Sequence, residues 1–171
     1  YTVNNVAPSV SNVVINGGDI ININMKGDTA VFASSSADLY DANSCLDITN
    51  SATPATSSLF LSSVSGGLNC SADGNNCYQI TDSECSYVAG SCSGSGGTTA
   101  SYTCSTTITH FAIPTDATTD NPNLADNWLA GMTAIDDNGL KGSNTSVAGV
   151  ELISLEALGI NETEIPYGAI K

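Results

Sequence analysis

Six cysteines, Cys45, Cys70, Cys77, Cys85, Cys92 and Cys104, sit between residues 45 and 104 of this 171-residue chain. The sequence around them, such as Ser93-Gly94-Ser95-Gly96-Gly97-Thr98-Thr99, is too polar to be held in place by burial alone. An even cysteine count in Gly/Ser/Thr/Asn-rich sequence reads as a disulfide framework, and disulfides persist outside the reducing cytosol. The expected protein is therefore secreted or displayed at a cell surface, with all six cysteines oxidised. Spacing constrains the connectivity only weakly. One arrangement has two local staples, Cys70–Cys77 and Cys85–Cys92, each closing a short turn-rich loop. Cys45 is then left to meet Cys104. Zinc has a poorer claim, because there is no Cys-x2-Cys pair and the chain has one histidine.

Charge narrows the partners. Lys and Arg together number 3 and Asp and Glu 17, giving a formal net charge of -14 with no arginine. Nucleic-acid binding needs cations to displace counterions from phosphates, so it is excluded. Anionic membrane surfaces are disfavoured for the same reason. No segment approaches the roughly 20 apolar residues that span a bilayer, so no membrane insertion is expected. Acidity favours solubility, divalent cations and cationic surfaces, although a solvated exterior accounts for it as well. No charged-then-apolar leader is visible, and Tyr1 in place of Met suggests a processed chain or an excised fragment. Three sequons, at Asn69, Asn144 and Asn161, permit N-glycosylation in a suitable host.

The apolar pattern is that of an all-β chain. Val10–Asn16 is rich in β-branched residues and ends at Gly17-Gly18, and Ile20–Met25 alternates apolar with polar. Thr29–Ala33 and Ala37–Tyr40 continue this character across a serine run, and Ser57–Val64 follows. Regular patterning resumes at Ala100–Ile113, Trp128–Ile135 and Val147–Leu158. Short strands separated by turn signals predict a two-sheet sandwich over residues 1–160. The polar stretch 65–99 is too long for an ordinary loop and reads as a disulfide-stapled insertion at the edge or end of that sandwich. Residues 161–171 read as a linker or the start of a following β-module. Trp128, Ala130, Met132 and Ala134 share one face at period two and are expected in the core, with Phe60 and Ile15 nearby.

Catalytic chemistry has little to build on. His110 is the sole histidine, it sits in strand-like I-T-H-F-A-I, and no G-x-S-x-G turn accompanies it. Phosphate chemistry lacks its usual cations. Carboxylates are plentiful, but adjacent strand residues such as Asp136-Asp137 face opposite ways and do not make an acid pair. No enzyme and no cofactor is expected. Calcium is the more serious ligand, since it takes hard oxygens from Asp, Asn and backbone carbonyls in loops. The segments 38–47, 116–127 and 136–138 supply such oxygens, with Asp116, Asp120, Asp126, Asp136 and Asn138 as candidate ligands. Turn-forming Asp and Asn explain the same composition.

Several phrases resemble one family. Ala7-Pro8-Ser9-Val10 leading into V-V-I-N-G-G is similar to the opening of immunoglobulin-like modules of microbial surface proteins. Asn127–Gly139, N-W-L-A-G-M-T-A-I-D-D-N-G, resembles their penultimate strand and turn, with Met132 where a β-branched residue is usual. Cys45-Leu46-Asp47-Ile48, Asn75-Asn76-Cys77-Tyr78, Pro114-Thr115-Asp116, Val150-Glu151-Leu152 and Ile165-Pro166-Tyr167-Gly168 resemble a cysteine-rich variety in large secreted proteins of bacteria. The resemblance implies an immunoglobulin-like sandwich in an extracellular assembly and carries no catalytic residues. The expected function is a structural or adhesive module, or a subunit of a cell-surface filament. It would be partnered by neighbouring modules or copies of itself, and residues 1–16 or 150–171 would reach beyond their own sandwich. The alternative is a calcium-organised binding module for a glycan or protein.

Overall fold

A computed structural model of the chain describes residues 4–24, 30–116 and 122–155. The strands are β1 (Ser9–Ile15), β2 (Ile21–Asn24), β3 (Val31–Tyr40), β4 (Ala55–Leu61), β5 (Cys77–Ile80), β6 (Cys85–Tyr87), β7 (Thr99–Ile108), β8 (Trp128–Ile135), β9 (Lys141–Thr145) and β10 (Leu152–Leu155). One sheet has the order β1-β3-β7-β6, the other β5-β4-β8-β9, and β10 pairs with β2 on its own. Reading β1, β3, β7 and β6 as A, B, E and D, and β4, β8 and β9 as C, F and G, gives the immunoglobulin strand order. β5 extends the second sheet beyond C. The parallel β2–β10 pair joins the continuation of the first strand to the end of the last.

The core follows from period-two alternation. Ala33, Ala37 and Leu39 of β3 face inward, as do Ala100, Tyr102, Cys104 and Ile108 of β7. Trp128, Ala130, Met132 and Ala134 of β8 are all fully buried opposite them. The Trp128 indole lies 5.8 Å from the Tyr78 ring and donates from Nε1 to the Ile113 carbonyl at 2.9 Å. Between the sheets Ser57 donates to the Gly131 carbonyl at 2.7 Å and pairs with the Ser35 hydroxyl at 2.6 Å, so two buried hydroxyls are satisfied together.

Several expectations need correction. Ser34–Ser36 does not break a strand. β3 runs unbroken for ten residues because Ser35 has its interior partner and its neighbours face outward. Phe60 is buried on the other side of its sheet, against Cys70, Cys77, Val64 and Leu129, because it alternates with Leu59. The stretch 65–99 is not wholly an excursion, since it supplies β5 to one sheet edge and β6 to the other. Only its first part is a roof, where Leu68 lies over Gly131 and Gln79 Nε2 donates to the Leu68 and Cys70 carbonyls. β9, a polar strand reading K-G-S-N-T, carries no apolar period, and the helix α1 (Cys45–Thr49), which buries Cys45 and Ile48, is too short to show one in the sequence. The described parts of the terminal segments pair within their own molecule, β1 with β3 and β10 with β2, rather than reaching beyond it. The remainder of those segments, and the 161–171 linker, lie outside the described residues.

The first and last described residues lie towards opposite poles. Asn5 donates to the Asp136 carboxylate, just past the end of β8, at 2.7 Å. Val150 exchanges both backbone hydrogen bonds with Trp128, at the start of β8. Eight strand residues separate these points, about 25 Å.

Candidate functional site

All six cysteines are paired, as Cys45–Cys92, Cys70–Cys77 and Cys85–Cys104. The local Cys70–Cys77 staple is present, and the other two pairings exchange the partners that loop length suggested. Register explains the exchange. Cys85 lies directly opposite Cys104 across the β6–β7 ladder, so both side chains point into the core together. Cys45 opens α1, where its backbone N–H donates to the Gly97 carbonyl at 2.8 Å, and the loop carrying Cys92 is thereby brought alongside. In the chain-entropy picture the three loops are worth about 4, 2 and 3 kcal/mol in the order given. The first ties α1 to the loop between β6 and β7, the second ties the roof to β5, and the third lies within the β6–β7 ladder of one sheet.

The candidate calcium ligands do not converge. Asp126 precedes β8 and Asp136 follows it, so the two lie about 25 Å apart. Asp126 accepts from the Ser62 and Ser63 hydroxyls, both at 2.9 Å. Asp136 is buried, and its Oδ1 accepts from the Asn138 and Leu140 backbone N–H groups at 2.9 and 2.8 Å, the turn chemistry of an Asp at a strand end. Asn138 spends its amide on Asp137 at 2.7 Å. Asp116 is half-buried, and Asp120 lies outside the described residues. Among the described residues no group of three or more His, Cys, Asp and Glu is arranged to hold a metal ion.

The entry pole does gather acids that sequence distance conceals. Asp137 N–H donates to the Asp47 carbonyl at 2.8 Å, bringing α1 against the β8–β9 turn. Burial, then the charges of Asp137, Asp41 and Asp136, push the Asp47 carboxyl above its ordinary range. Asp41 is fully buried. Its Oδ1 accepts from the Asn43 N–H at 2.7 Å, whereas Oδ2 has no hydrogen-bond partner.

His110 is exposed, stacks on Phe111 at 3.9 Å, and makes no hydrogen bond among the described residues. Of the sequon asparagines, Asn69 is exposed beside the Cys70–Cys77 staple. Asn144 uses its amide nitrogen to donate to the Val10 carbonyl at 3.0 Å, and Asn161 lies outside the described residues. Among the described residues no helix is long and apolar enough to cross a membrane.

No protein-family model matches the chain. No curated protein matches it in sequence. It is similar to a solved structure of AggA, the major subunit of aggregative adherence fimbriae type I from Escherichia coli, with 12% identity, 90% of this chain and 99% of that chain covered, and a TM-score of 0.26. A likeness this shallow carries no argument, and the fold rests on the strand order and core described above.

Proposed function

We propose that this chain is an extracellular structural or adhesive module of a cell-surface assembly, joined in series to neighbouring modules or to copies of itself. The observation that carries this reading is that the described residues begin near one pole of a disulfide-pinned sandwich and end towards the other. Such a body transmits position along a line, and its cross-links suit it to a compartment without cytosolic reductant. With β1 and β10 already paired at home, modules meet end to end through their polar loops rather than by exchanging these strands. The test is gold-labelled antibody on intact cells that make the protein, with surface protease treatment in parallel. Label and cleavage on unbroken cells, in linear arrays or threads, are expected. Label that appears only after permeabilisation would overturn the reading.

A further inference from the structure

At the pole where Asn5 meets Asp136, oxygen atoms from separate segments of the chain converge. The Asp41 and Asp136 side chains are both buried, and carboxylates taken out of water need compensation. Asp136 has it, since Oδ1 caps the turn that follows and Oδ2 accepts from the Asn5 amide at 2.7 Å. Asp41 has half of it. Its Oδ1 accepts from the Asn43 and Ser44 backbone N–H groups at 2.7 and 3.4 Å, whereas Oδ2 is buried with no hydrogen-bond partner. Asn43 joins the two. Its Oδ1 accepts from the Val6 N–H at 3.1 Å and its Nδ2 donates to the Asn4 carbonyl at 3.4 Å, so the segment after β3 is fastened to the residues that carry Asn5. The charges of Asp137, Asp41 and Asp136 all act on Asp47, half-buried on α1. Among the described residues Lys141 is the sole lysine or arginine, and it is exposed at the start of β9.

We infer that this pole is a calcium site, with the Asp41 and Asp136 carboxylates as its charged floor, the Asn4 carbonyl and the Asn5 and Asn43 side chains as neutral oxygens, and Asp47 at its mouth. The Asp41 Oδ2 atom is the observation that asks for a ligand. A carboxylate oxygen buried without a donor is costly, and a cation held there supplies what no side chain does. Every candidate ligand is a hard oxygen, the donor set that suits Ca²⁺ and not a softer transition metal. The irregular coordination of Ca²⁺, roughly six to eight oxygens, fits donors drawn from several segments better than the strict octahedron of Mg²⁺. The Asn5 amide nitrogen now covers one oxygen of Asp136, and turning that amide over presents its own oxygen to a cation instead. Asp47 and Asp137 lie nearer the surface and add negative charge that draws the ion in. The site shares only Asp136 with the ligands suggested by sequence, and its two buried carboxylates are completed by amide and carbonyl oxygens. This inference adds a ligand to the surface-module reading and does not depend on it, because the ion is measured on purified protein and surface display on cells.

The test is calcium titration of the purified, disulfide-intact protein after chelator treatment, at constant ionic strength, by calorimetry and by thermal melting. Saturable binding with a Kd of about 10⁻⁴–10⁻³ M is expected, with Tm about 3–6 °C higher in about 5 mM Ca²⁺ than in chelator and a smaller shift in Mg²⁺. Asp41→Asn keeps the Oδ1 cap and loses the charge, and should weaken binding about tenfold or more. Asp47→Asn should weaken it about three- to tenfold while raising Tm in chelator, because it removes a charge that its neighbours repel. Asp47 is only half-buried, so this variant decides by itself if Asp41→Asn fails to fold. Asp126→Asn, before the other end of β8, should bind as the wild type does. Melting curves identical in chelator and in about 10 mM Ca²⁺, with no heat of binding, would overturn the inference. So would binding unchanged in Asp47→Asn and Asp41→Asn. Binding weakened as much by Asp126→Asn would show diffuse attraction to an acidic surface and overturn it equally.

Discussion

Replacing Trp128 with alanine tests the arrangement of the whole core. The side chain is fully buried at the start of β8, pressed against Tyr78, with its N–H satisfied by the Ile113 carbonyl. Truncating a buried aromatic costs about 3–5 kcal/mol through lost transfer energy and the cavity left behind. The orphaned Ile113 carbonyl places the expected cost in the upper half of that range, and on a chain of this size it lowers Tm by about 10–15 °C. Trp128→Phe separates the terms. It keeps most of the ring volume and gives up the hydrogen bond, so it should cost about 1–3 kcal/mol. Trp128 is the sole tryptophan, so unfolding in guanidinium is followed by circular dichroism with the disulfides intact. An unchanged denaturant slope shows that the change lies in stability rather than in the denatured state. A loss under about 1 kcal/mol for Trp128→Ala would place the indole at the surface and refute the β4–β8 register on which the core rests.

A Cβ at Gly142 would collide with the Pro8 carbonyl oxygen, so Gly142→Ala should destabilise by about 1–3 kcal/mol in the same denaturation assay, and a neutral result would separate β9 from the entry of β1. Ser57→Ala should cost about 1–3 kcal/mol by removing its two hydrogen bonds and leaving the buried Ser35 hydroxyl unpaired, whereas Ser58→Ala removes a buried hydroxyl that has no partner and should be neutral or stabilising; the reverse order would contradict the described packing. Burial, then Asp82 and Tyr87, push the Tyr102 phenol up to about 12, so the folded state holds its proton more tightly than the unfolded state; stability from this group is full below about pH 10 and falls as the pH rises towards 12. Tyr102→Phe should flatten that alkaline fall in a pH series of denaturation curves, and an identical fall would place the phenol in water.

Much of the sandwich is legible in the sequence because alternation and burial are local signals. W-L-A-G-M-T-A-I reads as a strand from its period alone, and β8 has those bounds. β9 reads as a polar loop because it is an edge strand whose pairing with β8 is chosen by the turn at Asp136, not by its own side chains. β5 and β6 are each too short to show a period, and the cysteines within them draw attention to loops instead. Connectivity fails for a related reason. Loop length favours Cys85–Cys92, whereas the partner of Cys85 is fixed by a ladder register between residues far apart in sequence. The calcium set fails because Asp and Asn at strand ends serve turns and ligands with the same atoms. Where Asp126 and Asp136 stand relative to each other depends on the strand between them. The oxygens around Asp41 are visible as a group only after assembly, since Asn5, Asp41, Asp47 and Asp136 look like unrelated polar residues until the end of β3, α1 and the turn after β8 lie side by side.

The parallel β2–β10 pair sets how the molecule responds to tension. Pulled by its two ends, β2 is held back through β1 while β10 is drawn the other way. The pair is therefore loaded along its length, and its hydrogen bonds carry the force side by side instead of opening one at a time. None of the three cross-links touches β1, β2, β9 or β10. The seam that yields is thus purely non-covalent and can re-form once the load is removed. Behind it, the overlapping bridges with sequence separations of 47 and 19 withhold roughly 50 residues, or about 170 Å of extended chain, from stretching. A thread of such modules would lengthen in short steps under strain and recoil from a largely intact interior.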